Sequence, residues 1–114
     1  MQGIKKELEA CIQTCFDCSE LCNICSDACI DEKGMELCVR QCRDCAAICD
    51  LCIQLMERNS SFYQEYCNLC AKICDLCATE CGKYDMIHCK DCAAACRKCV
   101  EECRRVSDKV TTKV

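Results

Sequence analysis

The spacing of the cysteines constrains the fold of this chain more than any other feature. Twenty-one of the 114 residues are cysteine, and they form four runs in which steps of four and three residues alternate. Residues three and four apart lie on the same side of an α-helix, so each run places its sulfur atoms on one inward stripe. The pattern predicts helices that bury their thiols against one another. The runs are Cys11, Cys15, Cys18, Cys22, Cys25, Cys29; Cys38, Cys42, Cys45, Cys49, Cys52; Cys67, Cys70, Cys74, Cys77, Cys81; and Cys89, Cys92, Cys96, Cys99, Cys103.

The length and the turn residues predict a single all-α domain over residues 1–114. The chain has no proline and only three glycines, and no linker-like stretch divides it. We expect Gly34 and Gly82 to cap helix ends, and Ser61 with Gln64 to form a capping box. The prediction is an antiparallel four-helix bundle with a cysteine-lined core and a frayed tail at 108–114. The helices are expected near residues 4–32, 35–58, 61–81 and 86–107.

Composition excludes several classes of partner. The formal net charge is −4, with acidic and basic residues mixed along the chain, which is not the basic stripe of a nucleic-acid-binding protein. No apolar stretch approaches the roughly 20 residues that span a bilayer. The first ten residues have no hydrophobic signal segment, so we expect a reducing, cytoplasmic location. That location, the odd number of thiols and the wide spacing of cysteines along a helix all argue against a disulfide scaffold.

The thiols instead indicate a site for soft metal ions. Repeated CxxxC pairs place two sulfurs one helical turn apart, where they can bracket Cu(I), although thiolates also bind Zn(II) and iron–sulfur clusters. Charge favours Cu(I). About five Cys₄ zinc sites would leave a buried charge of roughly −10, whereas one Cu⁺ per thiolate leaves the core neutral. Each Cu⁺ would displace a thiol proton, so we expect bridging thiolates and a capacity that approaches the number of cysteines.

Two other metal functions remain open on the sequence. An iron–sulfur electron carrier is one, although ferredoxin motifs follow CxxCxxCxxxCP in loops and this chain has alternating helical steps without proline. A general thiolate sink for zinc or cadmium is the other. Catalysis is not expected, because the single histidine lies at one end and the acidic residues are expected to face solvent, so nothing in the chain supplies a nucleophile with its own base.

The ends of the helical stripes predict how ions enter. Ile4, Leu8, Met56, Tyr63 and Val106 collect at one end of an antiparallel bundle. Glu32, Met35, Tyr84 and Asp85 collect at the other, with Met86 and His88 near them. The second end is the predicted mouth, because thioether and imidazole groups can pass a soft cation inward to the nearest cysteines. His88, Met35 and Met86 are therefore candidate metal ligands, and Tyr84 is a candidate lid.

Outward aliphatic residues predict association between copies of the chain. Ile24, Leu51, Leu69 and Leu76 fall at positions that point away from the thiol stripes. Aliphatic side chains on the outside of a small bundle favour contacts between subunits. We therefore expect a homo-oligomer.

The chain as a whole closely resembles the copper storage proteins, in particular their bacterial cytosolic branch. The most specific stretch runs from Cys67 to Cys96 and follows the pattern CxLCAxICxxCxTECGKxDxxHCxxCAxAC, which includes Gly82, Lys83, Asp85 and His88. One departure lies before the fourth helix, where Tyr84 and Met86 stand at positions that are often histidine in such proteins.

The resemblance implies a cytosolic store for multiple Cu(I) ions. It implies that all inward cysteines are ligands, that copper enters at the histidine-bearing end, and that four bundles assemble into a homotetramer. Copper donors and acceptors would be the other partners.

Overall fold

The chain folds into four helices joined by short connections. A computed structural model describes residues 4–111. A 3₁₀ turn at Lys6–Leu8 leads into α1 (Glu9–Cys29), which is followed by α2 (Glu36–Glu57), α3 (Tyr63–Cys81) and α4 (Ile87–Thr111). The predicted all-α class and the cysteine-lined core are confirmed. Within the described residues, no helix is long and apolar enough to cross a membrane.

The helix ends differ from the predicted bounds at both termini of the chain. Regular α-helix begins only at Glu9 rather than near residue 4, and α1 ends at Cys29 rather than near residue 32. The last helix continues to Thr111, four residues into the segment predicted to be frayed. The rest of that segment, 112–114, lies outside the described residues.

Backbone hydrogen bonds cap the end of α2 in its connection to α3. Asn59 adopts a left-handed φ of 54° directly after α2. The Ser60 N–H donates to the Leu55 carbonyl at 2.9 Å and the Asn59 N–H to the Met56 carbonyl at 3.2 Å, a Schellman ending. The predicted capping box of Ser61 and Gln64 is wrong, because α3 begins at Tyr63 and its N-cap is Phe62.

That turn shifts the start of α3 beyond Ser61. Phe62 becomes the N-cap, and its own side chain makes no capping hydrogen bond. The Phe62 N–H instead donates to the Ser60 hydroxyl at 3.1 Å. The hydroxyl at the start of α3 is therefore that of Ser60 and not, as was predicted, that of Ser61.

The two predicted glycine caps have different outcomes. Gly82 is the C-cap of α3, as predicted. Ile30, not Gly34, caps α1. Gly34 lies in the connection to α2 with a φ of +86°, a conformation that side chains on Cβ disfavour.

The helices surround the core in sequence order and run antiparallel. The Cys25 thiol meets Cys38 and the Cys18 thiol meets Cys45, so residues late in α1 lie beside residues early in α2. The most extensive helix–helix contacts are those of α1 with α2 and of α3 with α4. Small residues permit this approach on one flank of each helix. They include Ser19, Ser26 and Ala46 in the first pair and Ala71, Ala78 and Ala93 in the second, all buried.

Hydrogen bonds fix which flank of α2 faces α1. The Ser19 hydroxyl donates to the Asp50 carboxylate at 2.6 Å, and Arg43 Nε donates to the Ser26 hydroxyl at 3.1 Å. The opposite flank of α2 therefore faces α3.

Candidate metal centre

Every cysteine lies inside the bundle. All 21 have no measurable exposed surface and none forms a disulfide. Small thiols stand where a core of this length would ordinarily hold Leu and Ile. The interior is consequently a column of sulfur atoms along the bundle axis.

The sulfur atoms meet mainly between helices rather than within them. The shortest separation, 3.1 Å, joins Cys45 of α2 to Cys74 of α3. Among the CxxxC pairs, Cys70 and Cys74 approach to 3.7 Å and Cys18 and Cys22 to 4.0 Å. A metal ion in this core would therefore be shared between helices more often than held by one.

Several groups of four thiols have the compactness of a metal site. In each, the four sulfur atoms lie within 4.8 Å of one another. Two of the groups take one cysteine from every helix, which places them on the bundle axis. These are Cys15, Cys49, Cys70, Cys99 and Cys25, Cys42, Cys81, Cys92. The groups share members with other quartets, so a continuous lattice of potential ligands fills the core.

An unbroken path of ligand atoms connects one end of this lattice to the other. It begins at His88, whose Nε2 lies 3.3 Å from the Cys29 sulfur. From there each sulfur lies within 4.0 Å of the next. The path runs through Cys29, Cys89, Cys25, Cys38, Cys81, Cys92, Cys22, Cys96, Cys45, Cys74, Cys49, Cys99, Cys103 and Cys11.

The predicted mouth brings together soft side chains. Besides the contact between His88 and Cys29, Met35 is buried, and Met86 is half-buried against the core. The two acidic residues predicted at this end, Glu32 and Asp85, are exposed. The thioethers and the imidazole are thus at the boundary between solvent and thiols, and the carboxylates lie outside it.

Burial shifts the thiols nearest the mouth toward their neutral form. It raises the pKa of Cys25 and of Cys29. Burial, with the neighbouring Cys42 as the next cause, raises the pKa of Cys38 to about 12. At neutral pH these groups are protonated, so a metal ion that binds them must displace protons.

One acidic residue is inside the protein, contrary to the expectation that the acids face solvent. Glu80 is only 6% exposed, accepts a 2.7 Å hydrogen bond from the Tyr84 hydroxyl and forms a 3.0 Å ion pair with Lys83. The hydrogen bond from Tyr84, followed by the one from Lys83, lowers the pKa of this carboxyl. Sequence reasoning found Tyr84 but missed its partner four residues earlier, although that spacing is one at which helical side chains meet.

The opposite end of the bundle is covered by apolar groups and by the segment before α1. Leu8 and Met56 are fully buried there. Arg105 donates to the Glu7 carbonyl at 3.0 Å, which ties this segment to α4. Lys5 lies 5.8 Å above the Tyr63 ring, a cation–π contact that holds it to the start of α3. We call this the closed end.

Comparison with known proteins places the chain among bundles that bind copper. The family model described as copper storage protein matches residues 4–108. The uncharacterized cysteine-rich protein YhjQ of Bacillus subtilis is 46% identical over 102 residues, which cover 87% of this chain and 94% of that protein.

Two solved structures have the same fold. Cu(I)-bound copper storage protein BsCsp3 matches with a TM-score of 0.85 and 45% identity, over 90% of this chain and 99% of that one. A cytosolic copper storage protein from Streptomyces lividans, in a structure of copper loading with five coppers, matches with a TM-score of 0.82 and 28% identity, over 90% of this chain and 93% of that one. The family model spans nearly the whole thiol-lined bundle, and this chain belongs to the copper storage protein family.

Proposed function

We propose that this chain takes up many Cu(I) ions into its thiol core and stores them. The observation that carries this is the continuous lattice of fully buried sulfur atoms, which exceeds what any single cluster or structural metal site needs. The relatives described as copper storage proteins support it, two of them seen with copper. Membership in a storage family also agrees with the prediction that the chain is not an enzyme.

Charge explains why Cu(I) suits this core better than zinc. Each Cys₄ zinc site would carry a net charge of −2. The idealised cost of moving a singly charged ion the size of a carboxylate into a low dielectric is already about 20 kcal/mol. A Cu⁺ ion that replaces a thiol proton leaves its site neutral, and thiolates that bridge two ions let neighbouring sites share ligands.

The proposed ligands are all 21 cysteines, with three further residues at the mouth. His88 is proposed as an imidazole ligand for an incoming ion, because its ring nitrogen already lies beside the Cys29 sulfur. Met35 and Met86 are proposed as thioether contacts for an incoming ion. Copper would then move inward by exchange between thiols, since each sulfur on the path lies within contact distance of the next.

A cytosolic location and copper donors or acceptors complete the proposal. Cu(I) and free thiols are stable together where the surroundings are reducing. The description of the Streptomyces lividans relative as cytosolic supports the same compartment for this chain.

We further infer that the chain self-associates through the outer face between α2 and α3. Residues that directly precede cysteines are mostly apolar on these helices, and Leu69 and Leu76 are 43% and 59% exposed. The corresponding groove between α1 and α4 differs in carrying charged side chains, because Asp17, Glu20, Asp91 and Lys98 line it beside Thr14, Leu21, Ala94 and Ala95. The exposed or half-buried side chains of this apolar face are Leu37, Leu51, Tyr66, Leu69, Ile73 and Leu76.

Two copies of this face can pair with each other, because both the apolar side chains and the charges of α3 match across a two-fold axis. If two α3 helices cross antiparallel at Leu69, Tyr66 of each copy lies beside Ile73 of the other. Glu65 and Lys72 lie on one edge of the apolar side of α3. Glu65 of each copy then lies opposite Lys72 of the other copy. A homotetramer would add a second contact, for which Ile24 on α1 is exposed.

Leu69→Glu tests this surface, since it would place two carboxylates at the two-fold axis. We expect the variant to elute as a monomer in size-exclusion chromatography with light scattering at micromolar concentration. Ile24→Glu should keep at least the dimer. A wild-type monomer, or an unchanged mass for Leu69→Glu, would show that this face does not associate.

Competition between metals tests the storage proposal itself. The reduced protein is offered Cu(I) and excess Zn(II) together without oxygen, and bound metals and released protons are counted. We expect Cu(I) to occupy the thiols in preference to zinc, with about one proton released for each copper that binds a protonated thiol. Preferential retention of zinc would favour a general thiolate sink, and visible absorption after iron and sulfide loading would favour an iron–sulfur carrier.

A further inference from the structure

The connection between α3 and α4 carries Tyr84 to the mouth of the core. Its ring is half-buried against the core residues, and its N–H donates to the Cys81 carbonyl at 3.2 Å. The Tyr84 hydroxyl donates to the Glu80 carboxylate at 2.7 Å. The side chain lies close to the outermost thiols, those of Cys38 and Cys89.

Glu80 occupies a position that helix stability alone does not explain. It is the penultimate residue of α3, where the negative end of the helix dipole disfavours a carboxylate. It is also almost fully buried, which is costly for a charged group without partners. Its two partners, Tyr84 and Lys83, belong to the connection that crosses the mouth. The carboxylate thus joins the end of the helix to that connection.

The start of the connection is fixed independently of this hydrogen bond. A Cβ atom added to Gly82 would lie 2.9 Å from the Ala78 carbonyl oxygen and 3.0 Å from Arg97 Nη2. The Gly82 N–H also donates to the Ala78 carbonyl at 2.9 Å, which holds the backbone at Gly82 to the end of α3. The Tyr84 side chain beyond it has one polar contact in the described structure, the hydrogen bond to Glu80.

We propose that Glu80 is a positioning residue that latches the Tyr84 ring over the mouth and thereby sets the rate at which Cu(I) enters and leaves. Neither residue binds the ion. The inference rests on the proposed storage function and on entry at the end where His88 meets Cys29.

A latch and a ligand have different kinetic signatures. A latch that limits passage alters the rates of uptake and removal by the same factor, so the affinity and the number of ions held do not change. A residue that binds copper alters affinity, because it stabilises one side of the equilibrium.

The main variant is Tyr84→Phe, which keeps the ring but removes the hydroxyl that Glu80 accepts. Uptake is followed by stopped flow from a chromogenic Cu(I) chelate, and removal by an excess of the same chelator, both without oxygen. We expect both rates to rise roughly tenfold, the effect of losing one hydrogen bond to a charged group. Glu80→Gln, which retains a weaker acceptor, should give a smaller rise. Tyr63→Phe at the closed end is the matched control and should leave both rates unchanged.

The outcomes separate the latch from the storage function. Unchanged rates for Tyr84→Phe would overturn the latch, and a change in removal without uptake would make Tyr84 a ligand instead. Copper bound per chain at saturation reports storage separately, and low saturation in the wild type would refute storage whatever the rate ratio. If Glu80→Gln fails to fold by circular dichroism, Tyr84→Phe alone decides, since the ring that packs on the core is retained.

Discussion

The two ends of the bundle surround the same kind of thiol with different side chains. At the mouth, His88 touches Cys29, thioethers lie nearby, and Tyr84 is held by a single hydrogen bond to Glu80. At the closed end, Leu8 and Met56 are fully buried beneath the segment that Arg105 ties down. Apolar packing is stable but passes ions poorly, whereas soft polar groups can exchange ligands. We therefore expect one end to maintain the fold and propose that the other admits copper.

The largest effect is expected from removing apolar packing at the closed end. Leu8→Ala should lower the free energy of unfolding of the reduced apoprotein by about 3 kcal/mol, as for other fully buried leucines. Urea denaturation followed by circular dichroism measures it. Ile4→Ala, at the same end but 41% exposed, should cost under about 0.5 kcal/mol. Equal stabilities for the two variants would mean that this end does not maintain the fold.

A substitution at the mouth is expected to change the rate of Cu(I) uptake and to affect the stability of the fold less. His88→Ala should slow Cu(I) uptake by roughly tenfold, the lower range for losing a group that orients metal ligands. The final amount of copper bound should stay nearly constant because the thiols remain. Leu8→Ala provides the opposite control, since its uptake rate per folded molecule should match the wild type. Slow Cu(I) uptake by Leu8→Ala together with normal uptake by His88→Ala would show that copper enters at the closed end.

The smallest effect concerns pH and the thiols near the mouth. The pKa of Cys38 rises on folding from its ordinary 9.0 to about 12, because of burial and the neighbouring Cys42. The folded state then binds more protons than the unfolded state between these values, so the apoprotein should lose stability as pH rises above about 9. Copper-loaded protein should not show this loss, since its thiols have already given up their protons. Urea midpoints of both forms between pH 7 and 11 provide the comparison.

The sequence predicted the core well because one periodic rule governs it. Each cysteine is three or four residues from the next, so any straight helix that buries one thiol buries the whole run. The proximity of His88 to the outermost thiols followed from the same register. These features depend only on helix geometry and antiparallel order.

The features that sequence reasoning missed depend on the connections. The capping box failed because the left-handed Asn59 delays the start of α3. Glu80, like the other acids, was expected to face solvent, but it is buried, and its hydrogen bond to Tyr84 depends on the path of the connection after Gly82. No periodicity within a helix encodes the path of such a connection.

The most direct test of the central claim is the number of Cu(I) ions that one chain holds. The fully reduced apoprotein is titrated without oxygen in the presence of a competing chromogenic Cu(I) chelator, and copper per chain is read at saturation. Storage in the thiol lattice predicts tight uptake that approaches one ion per cysteine. Saturation after one or a few ions would contradict the account and return the zinc and iron–sulfur interpretations to consideration.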